Sequence, residues 1–160
     1  LLLQALSRVT QPWHLTIVGT GNHLEYCRRL ATSLGIAGQV EFAGWVPHRD
    51  LDQYYARAAF TVVPSRWPEP FGMVGVEAMA RGRAVVGFSA GGIPDWLCHG
   101  VNGLLAPAGD VESLAEAIGC LLGDPEQARR LGRRAARVAT NRFTHTGYLE
   151  AMKTLLEEVA

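Results

Sequence analysis

Between residues 60 and 80 an apolar run, a proline-rich loop and a helical pattern follow one another directly. Phe60 to Val63 reads as a buried strand. Pro64, Pro68 and Pro70 then rule out both a central strand and a helix interior. From about Phe71 the apolar residues Met73, Val76 and Ala80 recur at helical spacing. The unit is therefore strand–loop–helix. Strands and helices alternating in this way build a parallel sheet with helices on both faces, and open sheets of that kind bind ligands at the carboxyl ends of their strands.

Two carboxylates mark this unit. Glu69 lies just before the helix, and Glu77 lies about one and a half turns inside it. The first N–H groups of a helix have no partner within it, and the helix dipole favours an anion there. Gly72 lets a ligand approach the backbone closely. Helical side chains lean toward the N-terminus, so Glu77 leans back toward the same end. The N–H groups suit a phosphate, whereas the carboxylates repel one and suit hydroxyl groups. A ligand with a phosphate in the middle and a sugar diol on either side satisfies both, and a nucleotide-sugar has that layout.

The remainder of the chain continues the alternation. The segment Leu1 to Val9 reads as the end of a helix that stops before Pro12. Residues 14–18 form a strand, Gly19-Thr20-Gly21 the turn after it, and residues 22–34 a helix closed by Gly35. A dinucleotide fingerprint would need glycine at position 24, where Leu24 stands, so a nicotinamide or flavin site is rejected. A strand over residues 40–43 leads into Gly44-Trp45-Val46-Pro47, with Trp45 expected to pack on the domain edge. A short helix over residues 51–59 places Tyr54 and Tyr55 at the core rim. A strand over residues 84–88 leaves through Gly91-Gly92, and Leu104-Leu105 reads as a short edge strand. Asp110 caps a helix over residues 111–122, and Asp124-Pro125 starts another that runs to about Asn141. Arg129, Arg130, Arg133, Arg134 and Arg137 share one broad face of that helix. A solvated face and a contact with an anionic surface, membrane or nucleic acid, are the two readings. Thr144 or Thr146 begins a last amphipathic helix that ends near Val159.

These blocks resemble retaining glycosyltransferases of family 4, which carry two Rossmann-like domains. The resemblance rests on Glu-x7-Glu within Glu-Pro-Phe-Gly-Met-Val-Gly-Val-Glu-Ala-Met-Ala, and on Ile17 to Gly21, Val40 to Pro47, Gly91 to Asp95 and Asn102 to Asp110. It implies a C-terminal, donor-binding domain of α/β class, with a Rossmann-like open parallel sheet. It implies that Glu69 is the catalytic carboxylate, that Glu77 holds the ribose, that the Phe71, Gly72 and Met73 region gives N–H groups to the phosphates, and that Pro70 and Val74 belong to the same substrate-binding stretch. Gly19 and Gly21 would face the donor, and Val46 would meet the base through its backbone. Thr20 and Asp95 depart from the Asp and Glu of most relatives. In those relatives the domain opens with a central strand and a Gly-Arg…Lys segment ahead of the helix at Leu1. The natural protein is therefore expected to be longer, with an N-terminal acceptor domain. The isolated chain is expected to lack that strand and to be inactive.

Composition sets the outer bounds. At 160 residues the chain is one domain by length and can bury about two-thirds of its surface. Its net charge of zero gives no global field for nucleic acid. The three cysteines, Cys27, Cys98 and Cys120, lack Cys-x-x-Cys spacing and are expected as buried thiols in a reducing, cytoplasmic compartment. No apolar run approaches membrane-spanning length, although the arginine face leaves a peripheral contact at the inner face of a membrane open. The five histidines lack metal-ligand spacing such as His-x3-His, so neither cofactor nor metal is expected, only the donor. Two alternatives compete with the transferase. One is a glycosidase pair, which needs carboxyls about 5–5.5 Å apart and a long sugar cleft. The other is a non-catalytic sugar-nucleotide-binding or scaffold module.

Overall fold

The computed structural model describes residues 1–158. In it, β1 (Leu15–Val18) pairs in parallel with β2 (Val40–Gly44), and the register shifts between Ile17 and Val18. Strand β3 (Phe60–Val63) pairs with β4 (Ala84–Ser89), and β4 with β5 (Gly103–Pro107), again all parallel. No ladder joins β1 to β3, so the described strands form one two-stranded and one three-stranded sheet. Parallel neighbours need a crossover. Helix α2 (Leu24–Ser33) supplies it between β1 and β2, α3 (Leu51–Arg57) leads from β2 to β3, and α4 (Met73–Ala80) leads from β3 to β4. The helix after β3 thus starts two residues later than its apolar spacing suggests.

Strand β4 explains why its sequence is apolar throughout. Successive strand side chains point to opposite faces. Ala84, Val86 and Phe88 join the core formed with α1 (Leu2–Leu6) and α5 (Val111–Gly123). Val85 joins the core on the other face, with α4 and α6 (Pro125–Arg142). A third cluster packs Leu3 and Ala31 against Val40. The expected edge strand is β5, and helices cover both faces.

The capping residues act as their types require. The Asp110 carboxylate accepts from the N–H groups of Glu112 and Ser113 at 3.0 and 3.1 Å. Asp124 accepts from the N–H of Gln127 at 2.9 Å. Thr144 accepts from the N–H of Gly147 at 3.0 Å, ahead of α7 (His145–Glu158). Val159, expected near the end of that helix, lies outside the described residues.

Two expectations need correcting. Trp45 does not pack on the domain edge but is 72% exposed. It follows Gly44, whose φ of 71° turns the chain away at the end of β2. The cysteines are not uniformly buried: Cys98 and Cys120 are exposed, and Cys27 is half-buried. Cys98 sits in a surface loop and Cys120 on the outer side of α5 (hence both contact solvent). No helix among the described residues is long and apolar enough to cross a membrane.

Candidate functional site

The β3–α4 unit supplies the centre of the site. Gly72 is the N-cap of α4, with φ of 81° and ψ of 54°, a left-handed conformation that favours glycine. No side chain caps this helix. The Gly75 N–H donates to the Gly72 carbonyl at 2.9 Å, so it is the N–H groups of Met73 and Val74 that are left to an external partner. Met73 and Val74 carry exposed side chains on this first turn, while Gly72 itself is buried.

Beneath the turn lies Trp96, which is fully buried. Its indole N–H donates to the carbonyl of Phe71. A Cβ built on Gly75 would lie 2.0 Å from the Trp96 ring. Glycine at 75 is thus what lets α4 settle on the indole. Phe71 also meets Phe143 edge to face, with centroids 5.5 Å apart, which ties the loop to the end of α6. Pro70 is exposed beside it.

Glu69 is held on one flank. Ser65 Oγ donates to Glu69 Oε2 at 3.3 Å. The Gly92 N–H donates to the Glu69 carbonyl at 2.7 Å. A Cβ on Gly91 would lie 2.3 Å from that same carbonyl oxygen. The paired glycines after β4 therefore clamp the Glu69 backbone, and their smallness is required by the protein itself.

Glu77 is held on the other flank. Tyr55 Oη donates to Glu77 Oε2 at 3.5 Å, and His48 Nε2 lies 4.0 Å from Glu77 Oε1. His48 follows β2, so the carboxylate does turn toward the carboxyl ends of the strands. Arg81 holds the arrangement from behind. It donates to the Glu77 carbonyl at 3.1 Å, bonds Asp52 at 2.6 Å and lies over the Tyr55 ring at 4.8 Å. Burial pushes the Tyr55 hydroxyl above its usual pKa, and the Glu77 charge pushes it further, against the opposing pull of Arg81. Tyr55 is more than a core-rim residue.

The other expected residues lie on neighbouring strand exits. The Gly19 N–H donates to the Gly44 carbonyl at 2.7 Å, joining the exits of β1 and β2. Gly19 has φ of 129°. Gly21 is exposed, and nothing lies within 4 Å of a Cβ built on either glycine. Val46 is half-buried in the loop after β2, two residues before His48. The order of residues gave no sign of Tyr55, His48 or Trp96 in the site. Each meets its partner only through folding, across 22 residues for Tyr55 and Glu77 and 25 for Trp96 and Phe71.

The sequence matches the family described as glycosyl transferases group 1 over residues 1–138. The chain belongs to this family. It is 35% identical over 136 residues to a GDP-mannose-dependent phosphatidylinositol monomannoside mannosyltransferase of Mycolicibacterium smegmatis, matching 81% of this chain and 36% of that protein. It is 33% identical over 156 residues to the lipopolysaccharide core biosynthesis glycosyltransferase LpsE of Rhizobium meliloti, matching 97% of this chain and 44% of that protein. The fold superposes on Anabaena HepE, solved in complex with UDP-glucose, with a TM-score of 0.88 and 31% identity. That match covers 98% of this chain and 44% of HepE. The group 1 domain described here thus spans less than half the length of each of these relatives. The Rossmann-like parallel architecture is the one these glycosyltransferases use.

Proposed function

We propose that this domain is the donor half of a retaining glycosyltransferase and binds a nucleoside-diphosphate sugar. The observation that carries the reading is the uncapped α4 N-terminus at Gly72, flanked by a carboxylate on each side. The diphosphate sits at the first N–H groups of α4, where the dipole and unpaired donors favour it. Glu77, steadied by Tyr55 and His48, accepts hydrogen bonds from the ribose diol. Glu69, steadied by Ser65 and the Gly91-Gly92 clamp, accepts from sugar hydroxyls. Its charge also favours the positive charge that develops at the anomeric carbon as the bond to the diphosphate breaks. The backbone near Val46 receives the base, and the Gly19–Gly21 loop closes the donor from the β1 side.

The domain acts within a longer chain, which supplies the acceptor site. The break between β1 and β3 supports this part of the reading, since a strand seated there would complete both ladders. HepE with UDP-glucose and the GDP-mannose-dependent relative support a nucleotide-sugar donor while differing in base and sugar. The reading invokes no metal, since the α4 N-terminus itself offers the phosphates a positive dipole end and free N–H donors.

Turnover tests the reaction. The intact gene product is incubated with UDP-, GDP- and ADP-sugars, and the released sugar is followed by NMR. Slow release from one donor class with the donor's own anomeric configuration appearing first, abolished in Glu69→Gln, is the expected result. Inverted sugar would exclude the retaining course, and release undiminished in Glu69→Gln would remove Glu69 from the chemistry.

A further inference from the structure

Six of the chain's fifteen basic residues and only two of its fifteen acidic ones fall within residues 124–142. The molecule is neutral overall, so this charge is segregated, not general. Helix α6 has 18 residues and is about 27 Å long. Its apolar side, with Leu131, Ala135 and Ala139, is buried. Arg129, Arg130, Arg133, Arg134 and Arg137 are all exposed. At 3.6 residues per turn they fan over an arc of about 140°.

One carboxylate serves this face. Glu126 accepts from Arg129 at 3.0 Å and from Arg133 at 3.3 Å, and these bonds hold its carboxyl below the usual range. Arg130, Arg134 and Arg137 have no carboxylate within 4.0 Å among the described residues. They follow at i, i+4 and i+7, so like charges stand one turn apart and repel. Nothing described within the fold offsets that repulsion.

We infer that the arginine face of α6 docks the protein on an anionic phospholipid surface. A layer of acidic headgroups offers negative charge over the full length of the helix, and each basic side chain near such a surface contributes to attraction. The seating of α6 favours a flat partner over a grooved one. A Cβ on Gly132 would lie 2.1 Å from the Gly82 carbonyl oxygen, so the helix backbone is sunk against the domain. A helix that reads a DNA major groove must project into a channel about 8.5 Å deep. This one lies flush. Its exposed face also carries no aromatic side chain on which a base could stack. The far end of α6 reaches the site, where Arg142 donates to the Asp95 carbonyl at 3.2 Å and Phe143 meets Phe71. Docking along α6 thus brings the loops at Asp95 and Phe71 near the headgroups.

The test compares the intact gene product with its Arg130→Gln/Arg134→Gln/Arg137→Gln variant in sedimentation with phosphatidylcholine vesicles, with and without phosphatidylglycerol. The intact protein is expected to partition only onto the anionic vesicles and to be released by salt. The triple variant is expected to lose about a hundredfold in partitioning, with an unchanged unfolding midpoint. Glu126→Gln frees Arg129 and Arg133 and is expected to bind severalfold tighter, a readout that a poorly folded triple variant does not affect. Equal binding to neutral vesicles, no binding to anionic ones, or a Glu126→Gln variant no tighter than the parent would overturn the assignment. Tighter binding to duplex DNA than to vesicles, lost in the triple variant, would give the face to nucleic acid instead. None of these outcomes depends on the donor site.

Discussion

Two loops at the strand ends carry paired glycines, and their surroundings are opposite. Around the β3–α4 turn every glycine is crowded. Gly75 lies against Trp96, Gly91 against the Glu69 backbone, and Gly92 against the Pro70 carbonyl. After β1, a Cβ on Gly19 or Gly21 would meet nothing within 4 Å. In the first region the protein's own packing demands glycine, and the result is a rigid seat for α4. In the second, packing demands nothing at Gly21, so any need for a small residue there comes from outside the chain. Crowding and emptiness thus separate what the fold requires from what a ligand requires.

Breaking the crowded region should have the largest effect. Gly75→Ala drives a methyl into the Trp96 ring and should destabilise the domain by about 1–3 kcal/mol or more, read as a lowered midpoint in urea unfolding. An unchanged midpoint would mean that α4 is not seated on the indole.

Next in size, Glu77→Ala should weaken donor binding by about tenfold to a hundredfold, the scale of hydrogen bonds to a charged group, with little change in stability. Tyr55→Phe should follow with a loss of about threefold to tenfold. It should also alter the alkaline limb of stability. The Tyr55 pKa is raised on folding, so its contribution is fully present below the unfolded value near 10 and is lost as pH rises through the folded value. Unfolding midpoints measured between neutral and strongly alkaline pH should converge for parent and variant at the top of that range.

The smallest effect on stability is expected in the empty loop. Gly21→Ala should shift stability by under about 0.5 kcal/mol while still weakening donor binding, because only a bound donor would meet the new methyl. A variant with unaltered donor affinity would show that the donor does not approach position 21.

The same contrast explains how much could be read from the residues alone. Strands β3 and β4 were legible because their apolar runs sit between proline and glycine punctuation. The caps Asp110 and Asp124 were legible because capping is a local interaction. Glu69 and Glu77 stood out through their spacing about a helix start. The support of Glu77 by Tyr55, His48 and Arg81 was not legible, since it joins segments that are distant in the chain. The exposure of Trp45 was also missed. It depends on the turn at Gly44, and an aromatic residue beside a strand reads as core unless that turn is known. The arginine face of α6 was visible, but the absence of described carboxylates from three of its five members was not.

The central claim is that the α4 N-terminus and its two flanking carboxylates form a donor site. Calorimetry of the intact gene product against UDP-, GDP- and ADP-sugars tests it most directly, with Glu77→Ala as the paired variant. Saturable binding of one nucleotide class is expected, lost or strongly weakened in the variant while its unfolding midpoint holds. No binding by a protein shown to be folded, or binding that Glu77→Ala leaves intact, would contradict it.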